Sequence, residues 1–227
     1  MKPIGDPEAV VSWVLAAMAG LVGAAAFIQT TGYFVTFMTG NAERAALGYL
    51  VGRPAMATAA ILITVTFISG VVVASLLRRH VWVNHPHGAT MLTTISLAIA
   101  TGVDFMTAGF NAPAVTFIPI LFVAFGIGAL NTSFCDDKKG EVSVPLSYVT
   151  GTLVKLGQGI ERHISGGEAK EWNGYFLLWL AFVAGGVLGG IVSLVITGGQ
   201  MLLAATVICG GVALYTYRLD ERASILG

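Results

Sequence analysis

The sequence predicts an all-α polytopic membrane protein, with six transmembrane helices in two inverted three-helix repeats, each holding a broken or re-entrant element. Three observations predict it. Of the 227 residues 56% are apolar and only 11% charged, against roughly 25% charged in a soluble domain, and mean hydropathy is +0.81. The charges are clustered, which leaves uncharged runs long enough to cross a bilayer. A longer motif built on an aromatic residue, Thr-Gly and a cation occurs once in each half.

These features exclude a disordered chain, and with a net charge of zero they exclude a nucleic-acid binder with a basic face. Cys135 and Cys209 lie 74 residues apart without CxxC or CxxH spacing, so neither a disulfide framework nor a metal knuckle is indicated. HExxH, GxSxG, P-loop and dinucleotide signatures are missing. The expectation is therefore a protein that is not an enzyme and carries no metal or cofactor. The 29 glycines lie inside apolar runs, which suits close-packed membrane helices.

A hydrocarbon layer about 30 Å thick needs roughly 20 helical residues at 1.5 Å each. Residues 9–42 carry no charge and hold a first span at about Val10 to Ile28. Pro54 to Leu77 is a second span. Gly88 to Cys135 is uncharged except for Asp104, and Trp172 to Tyr217 is uncharged throughout; each is long enough for two spans. Their turns are expected at 109–113 and at Thr197-Gly198-Gly199-Gln200. Gly23-Ala24-Ala25-Ala26 resembles a signal cleavage site, but Asp6 and Glu8 offset Lys2, so the first run reads as a retained span.

Orientation follows from Lys and Arg. Lys2, Arg78, Arg79, Lys138, Lys139, Lys155, Arg162, Lys170, Arg218 and Arg222 fall on one side, ten of the twelve basic residues. The positive-inside rule then puts both termini in the cytoplasm. His80, His85 and His87 cluster on that side as a solvated loop, with no partner ligands for a metal.

Residues 33–50 are apolar at first and charged in the middle, too polar for a lipid-facing span and too apolar for a water-facing loop. A broken element buried in protein fits both facts. The same pattern returns at 144–160. Phe37-Met38-Thr39-Gly40-Asn41-Ala42-Glu43-Arg44 with Gly48 matches Tyr148-Val149-Thr150-Gly151-Thr152-Leu153-Val154-Lys155 with Gly159 at a constant offset of 111. Each copy follows one span and precedes two. An odd number of spans per unit inverts one unit relative to the other, the layout of many secondary transporters. The units divide as 1–110 and 111–227.

Thr-Gly-Asn and Thr-Gly-Thr read as helix starts, with Gly allowing unusual backbone angles and Asn41 or Thr152 capping free N–H groups. A helix starting within the membrane aims its positive end at what lies in front of it. Thr39, Gly40, Asn41 and Arg44 would form one side of a binding site, and Thr150, Gly151, Thr152 and Lys155 the other. Arg44 and Lys155 have a plainer reading as side chains that snorkel to headgroups. Glu43 and Asp104 are candidates for proton coupling, since an intramembrane carboxylate is costly; Asp104 could equally sit near the outer end of its span. Gln29 and Asn131, at the ends of the first and fourth spans, line a cavity or cap helices. Gly185-Gly186-Val187-Leu188-Gly189-Gly190 holds two overlapping GxxxG patterns, suited to close packing on another helix or to a homodimer face.

At Tyr33 to Gly48, with its MTGN, and at Tyr148 to Gly157, YVTGTLVKLG, the chain resembles the YoaK-like family of bacterial inner-membrane proteins, a domain of unknown function. The resemblance covers nearly the whole length. It implies a multi-pass protein of the bacterial inner (plasma) membrane and supplies no substrate. Members often carry an acidic residue in the first span ahead of the first motif; here that stretch reads Gly23-Ala24-Ala25-Ala26-Phe27.

The expectation is a secondary transporter or channel for a small anionic solute, with membrane lipid as its surroundings and its site near the midplane. An intramembrane enzyme acting on a lipid or quinone would instead show a side opening for an acyl chain. A scaffold would keep the two motifs apart.

Overall fold

A computed structural model describes residues 7–30, 32–82, 87–107, 113–134 and 146–226. The described residues form eight α-helices and no strand: α1 Pro7–Gln29, α2 Met38–Leu50, α3 Pro54–His80, α4 His87–Thr107, α5 Pro113–Leu130, α6 Val149–Ile164, α7 Lys170–Val192 and α8 Gly198–Leu226. The expected turn at 109–113, the boundary at 110/111, Cys135, His85 and the Lys138-Lys139 pair lie wholly or largely outside the described residues.

Among the described residues five helices are long and apolar enough to cross a membrane: α1, α3, α4, α7 and α8. Six spans are expected from the sequence, and five meet the test. The run from Gly88 divides into α4 and α5, and α5, at 18 residues, is the shorter of the two. At 1.5 Å per residue it covers about 27 Å. Pro119 lies within α5 and removes one backbone hydrogen bond there.

The two motif segments are short helices, α2 and α6, each entered from non-helical chain at 32–37 and 146–148. Both stop in the same way. Gly52 and Gly166 take left-handed angles (φ 72° and 99°). The next N–H, of Arg53 or Gly167, turns back to the carbonyl of Gly48 or Arg162 at 2.7 and 2.8 Å. This is the Schellman closure, which needs a residue free of a Cβ at the left-handed position. α8 starts on a capping box, with the Thr197 N–H donating to Gln200 Oε1 at 3.0 Å and the Gln200 N–H to Thr197 Oγ1 at 3.4 Å.

The helices pair across the halves of the chain. α1 lies along α7, and α3 along α5; α2 leans on α3, and α6 on α7; α4 packs between α5 and α8, and α8 also touches α1. The two long crossings share one construction. A Cβ at Gly20 would collide with the Phe182 carbonyl and one at Gly185 with the Ala17 carbonyl. In the other crossing, a Cβ at Gly128 would collide with the Phe67 carbonyl and one at Gly70 with the Phe125 carbonyl. Backbones approach this closely only where side chains are missing, as membrane helices require when lipid is no less apolar than their own side chains. The Gly185–Gly190 patch therefore packs on α1, as its spacing suggests. Buried Leu15, Met18, Ile63, Leu97, Ile127 and Leu130 complete the apolar interior.

Gly70→Leu or Gly185→Leu should lower stability by about 1–3 kcal/mol or more, the overpacking range. Gly211→Ala, where a Cβ meets nothing within 4 Å, should leave it unchanged or raise it. Thermal unfolding in detergent reads both outcomes.

Candidate functional site

Each short helix begins on an aromatic residue. Phe37 precedes α2 and Tyr148 precedes α6, and no side chain caps either start. This corrects the expectation that Asn41 or Thr152 serves as a cap. Both lie inside the first helical turn, and their own N–H groups already reach the Phe37 and Tyr148 carbonyls at 3.2 and 3.1 Å. Their side chains point back into protein. Asn41, 1% exposed, donates through Nδ2 to the Phe34 carbonyl at 2.6 Å. Its Oδ1 is buried without a hydrogen-bond partner. The Thr152 hydroxyl donates to the Tyr148 carbonyl at 3.2 Å.

The glycines have a different task from the expected one. Neither Gly40 nor Gly151 has a positive φ. A Cβ at Gly40 would strike the Phe37 ring, and one at Gly151 the Tyr148 ring. The aromatic residue three positions earlier folds over the bare glycine, which explains that spacing. The second glycine of each motif sets the short helix against the following span. A Cβ at Gly48 would lie 2.8 Å from Ala57 Cβ, and one at Gly159 would lie 2.7 Å from Trp172 Cβ.

The two helix starts open onto one central cavity of about 850 Å³, whose lining includes Phe37, Met38 and Thr39 from one motif and Tyr148, Val149 and Thr150 from the other. α1, α3 and α7 wall it through residues such as Gly23, Phe67 and Phe182, and it opens at its side, where Phe27, Phe37 and Tyr148 are exposed. Phe67 is halfway along α3, so the cavity lies at the middle of the bundle. Its described lining holds no charged side chain.

The chain that leads into each helix is held differently. In the second half Asn131 grips Ser147: Nδ2 donates to the Ser147 hydroxyl at 2.8 Å, and Oδ1 accepts the Ser147 N–H at 3.0 Å. In the first half Thr36 presses against Gly23, where a Cβ would lie 2.6 Å from its Oγ1. Asn131 thus lines the cavity and pins a loop. Gln29 instead donates through Nε2 to the Ser193 and Ile196 carbonyls at 2.7 and 3.2 Å, tying α1 to the end of α7.

Arg44 and Lys155 do not line the central cavity. Arg44 donates through Nη1 to the Gly32 carbonyl and stacks 4.1 Å from the Phe34 ring centre. Phe34 in turn stacks on Phe27 and meets Phe37 edge to face, with ring centres 5.2 Å apart in both pairs. Lys155 sits 5.6 Å from the Tyr175 ring centre. Each cation lies one turn after its glycine and braces the motif from behind. Glu43 is exposed on α2 and lines no cavity described here.

Asp104 lines a second cavity of about 590 Å³, together with Gln29, Thr30 and Tyr33. The non-helical segment 33–37 divides the two. Tyr33 and Val35 face the Asp104 cavity, while Phe34, Thr36 and Phe37 face the central one. Among the described residues no group of three or more His, Cys, Asp or Glu could hold a metal.

The model of the family described as "Protein of unknown function (DUF1275)" matches residues 11–215. The chain belongs to this family. It is 28% identical over 191 residues to UPF0700 transmembrane protein RA0705 of Rhizobium meliloti (strain 1021), covering 78% of this chain and 71% of that protein. No solved structure matches. The chain is thus a multi-pass helical membrane protein of the family that its Thr-Gly motifs resemble.

Asn131→Ala would strip a buried N–H at Ser147 of its acceptor, at a cost of about 1–3 kcal/mol. Hydrogen exchange should speed up at residues 146–152 and stay unchanged at 38–50.

Proposed function

We propose that the chain is a secondary transporter or channel for a small anionic solute, bound in the central cavity between the two Thr-Gly helices. The single observation that carries this reading is that two short helices, one from each half, start uncapped at the same uncharged cavity in the middle of the bundle. The first N–H groups of a helix lack intrahelical acceptors, and each helix adds roughly half a positive charge at its start. The hydroxyls of Thr39 and Thr150 stand beside these N–H groups as further donors, and Phe27, Phe34, Phe67 and Phe182 offer an apolar bed. A carboxylate or similar anion with a compact apolar body matches this lining. Gly40, Gly151, Asn41, Thr152, Arg44 and Lys155 act behind the site, by shaping the two starts.

The inverted repeat belongs to the same proposal. Exchanging α1–α4 for α5–α8 turns α1/α7 into α5/α3, α2/α3 into α6/α7, and α4/α5 into α8/α1; α4/α8 maps onto itself. Every principal helix pair has its counterpart. The Gly–Phe–Gly crossings and the Schellman closures of α2 and α6 correspond as well. On this reading α5, Pro113–Leu130, is the sixth span. Arg78, Arg79, Arg162, Lys170 and Arg218 fall at helix ends on one side of the bundle, which supports cytoplasmic termini in a bacterial inner membrane. Proton coupling, if the carrier is coupled, falls to Asp104, since Glu43 faces neither cavity.

An open apolar crevice of about 370 Å³ lies between α3, α4 and α5. It could hold an acyl chain, as a lipid enzyme would need. Its polar lining is limited to Thr66 and Ser96, and the Ser96 hydroxyl already donates to the Phe122 carbonyl at 2.7 Å. That favours a lipid contact over a reaction centre.

Proteoliposome uptake across a panel of small organic and inorganic anions tests the proposal. One or more anions should accumulate, and Thr39→Val with Thr150→Val should cut the rate at least tenfold at unchanged protein stability. No uptake of any anion, or full uptake by the double variant, contradicts it. Arg44→Ala with Lys155→Ala should reduce uptake and unfolding temperature together, since both cations brace the motifs.

A further inference from the structure

The Asp104 cavity is a site in its own right. It has one carboxylate, no described basic side chain in its lining, and about 590 Å³ of space, within the range of small-molecule pockets. Among the described residues nothing hydrogen-bonds to the Asp104 carboxylate or forms an ion pair with it. It is held against the start of α8, where a Cβ at Gly199 would lie 2.6 Å from its Oδ2. Two of the other polar groups nearby are already engaged. Gln29 Nε2 donates to two carbonyls. The Thr30 hydroxyl donates to the Ala26 carbonyl and accepts the Tyr33 N–H at 2.5 and 3.1 Å. Beside them Tyr33 meets Phe117 edge to face, with ring centres 5.1 Å apart. The remaining walls, from α1, α5 and α8, are largely aliphatic.

We infer that this cavity binds an organic ammonium ion, with the Asp104 carboxylate neutralising the charge and the Tyr33–Phe117 pair receiving its alkyl groups. The chemistry selects this class. A hard metal ion needs about six oxygen ligands, and one carboxylate with the side-chain oxygens of Gln29, Thr30 and Tyr33 does not supply them. An anion would meet the carboxylate. A neutral apolar molecule would leave that charge unpaired in a site walled by aliphatic side chains, which is costly. An alkylammonium ion is weakly hydrated, pairs with one carboxylate without a fixed coordination geometry, and is attracted to aromatic faces. The wall formed by 33–37 places this site back to back with the central cavity, with Tyr33 on one side and Phe34 on the other.

The test uses the full-length protein purified in detergent, with benzyltrimethylammonium as probe and binding read by equilibrium dialysis. Wild type should bind the probe at least tenfold more tightly than Asp104→Asn, with the two proteins melting at similar temperatures. A competitor pair needs no variant: choline should displace the probe, and its neutral carbon isostere 3,3-dimethylbutan-1-ol should not. Absent binding to wild type, equal affinity in Asp104→Asn, or equal displacement by the two competitors overturns the inference. The result does not depend on anion uptake through the central cavity, so either proposal can fail alone.

Discussion

Backbone N–H groups in a bilayer have no water to turn to, and this constraint organises the rest of the structure. A helix that begins at the membrane surface hides its free N–H groups in the headgroup region. α2 and α6 begin in the middle of the bundle instead, and neither start carries a side-chain cap. Such starts are stable only where protein surrounds them and a polar occupant can reach them. The aromatic rings of Phe37 and Tyr148, folded over Gly40 and Gly151, shape the two starts. Asn41, Arg44 and the Asn131–Ser147 pair fix the chain on either side. The cavity is thus a consequence of ending the non-helical segments at depth.

Close packing holds the two halves around that cavity. Four glycines let α1 meet α7 and α3 meet α5 at backbone distance, and the carbonyls they meet include those of Phe67 and Phe182, whose rings line the cavity. The crossings that hold the bundle together therefore also place the walls of the site.

Much of this was legible in the sequence. Apolar runs gave the helical membrane fold, and the Thr-Gly pairs located the starts of both short helices to within a residue or two. The rest was hidden for identifiable reasons. The glycine crossings have no common spacing in the sequence: Gly20 and Gly128 are 108 residues apart while Phe67 and Phe182 are 115 apart, so a single offset of 111 misses them. Arg44 looked like a ligand because a buried cation suggests one. Its partners, the Gly32 carbonyl and Phe34, lie in irregular chain whose path no periodicity describes. The cap was misassigned because Asn41 and Thr152 are good capping residues by type, whereas the aromatic three positions before each glycine carried the real signal. The Asp104 cavity needed Tyr33, Phe117 and Gly199 brought together from three separate segments.

Cross-linking between Thr39→Cys and Thr150→Cys, in a background with Cys135 and Cys209 replaced by Ser, tests the central claim most directly. A short bismaleimide applied to membranes should join the two positions within one chain, and mass spectrometry should recover the linked peptide in high yield. Efficient labelling of both cysteines without an intrachain link would contradict the shared cavity.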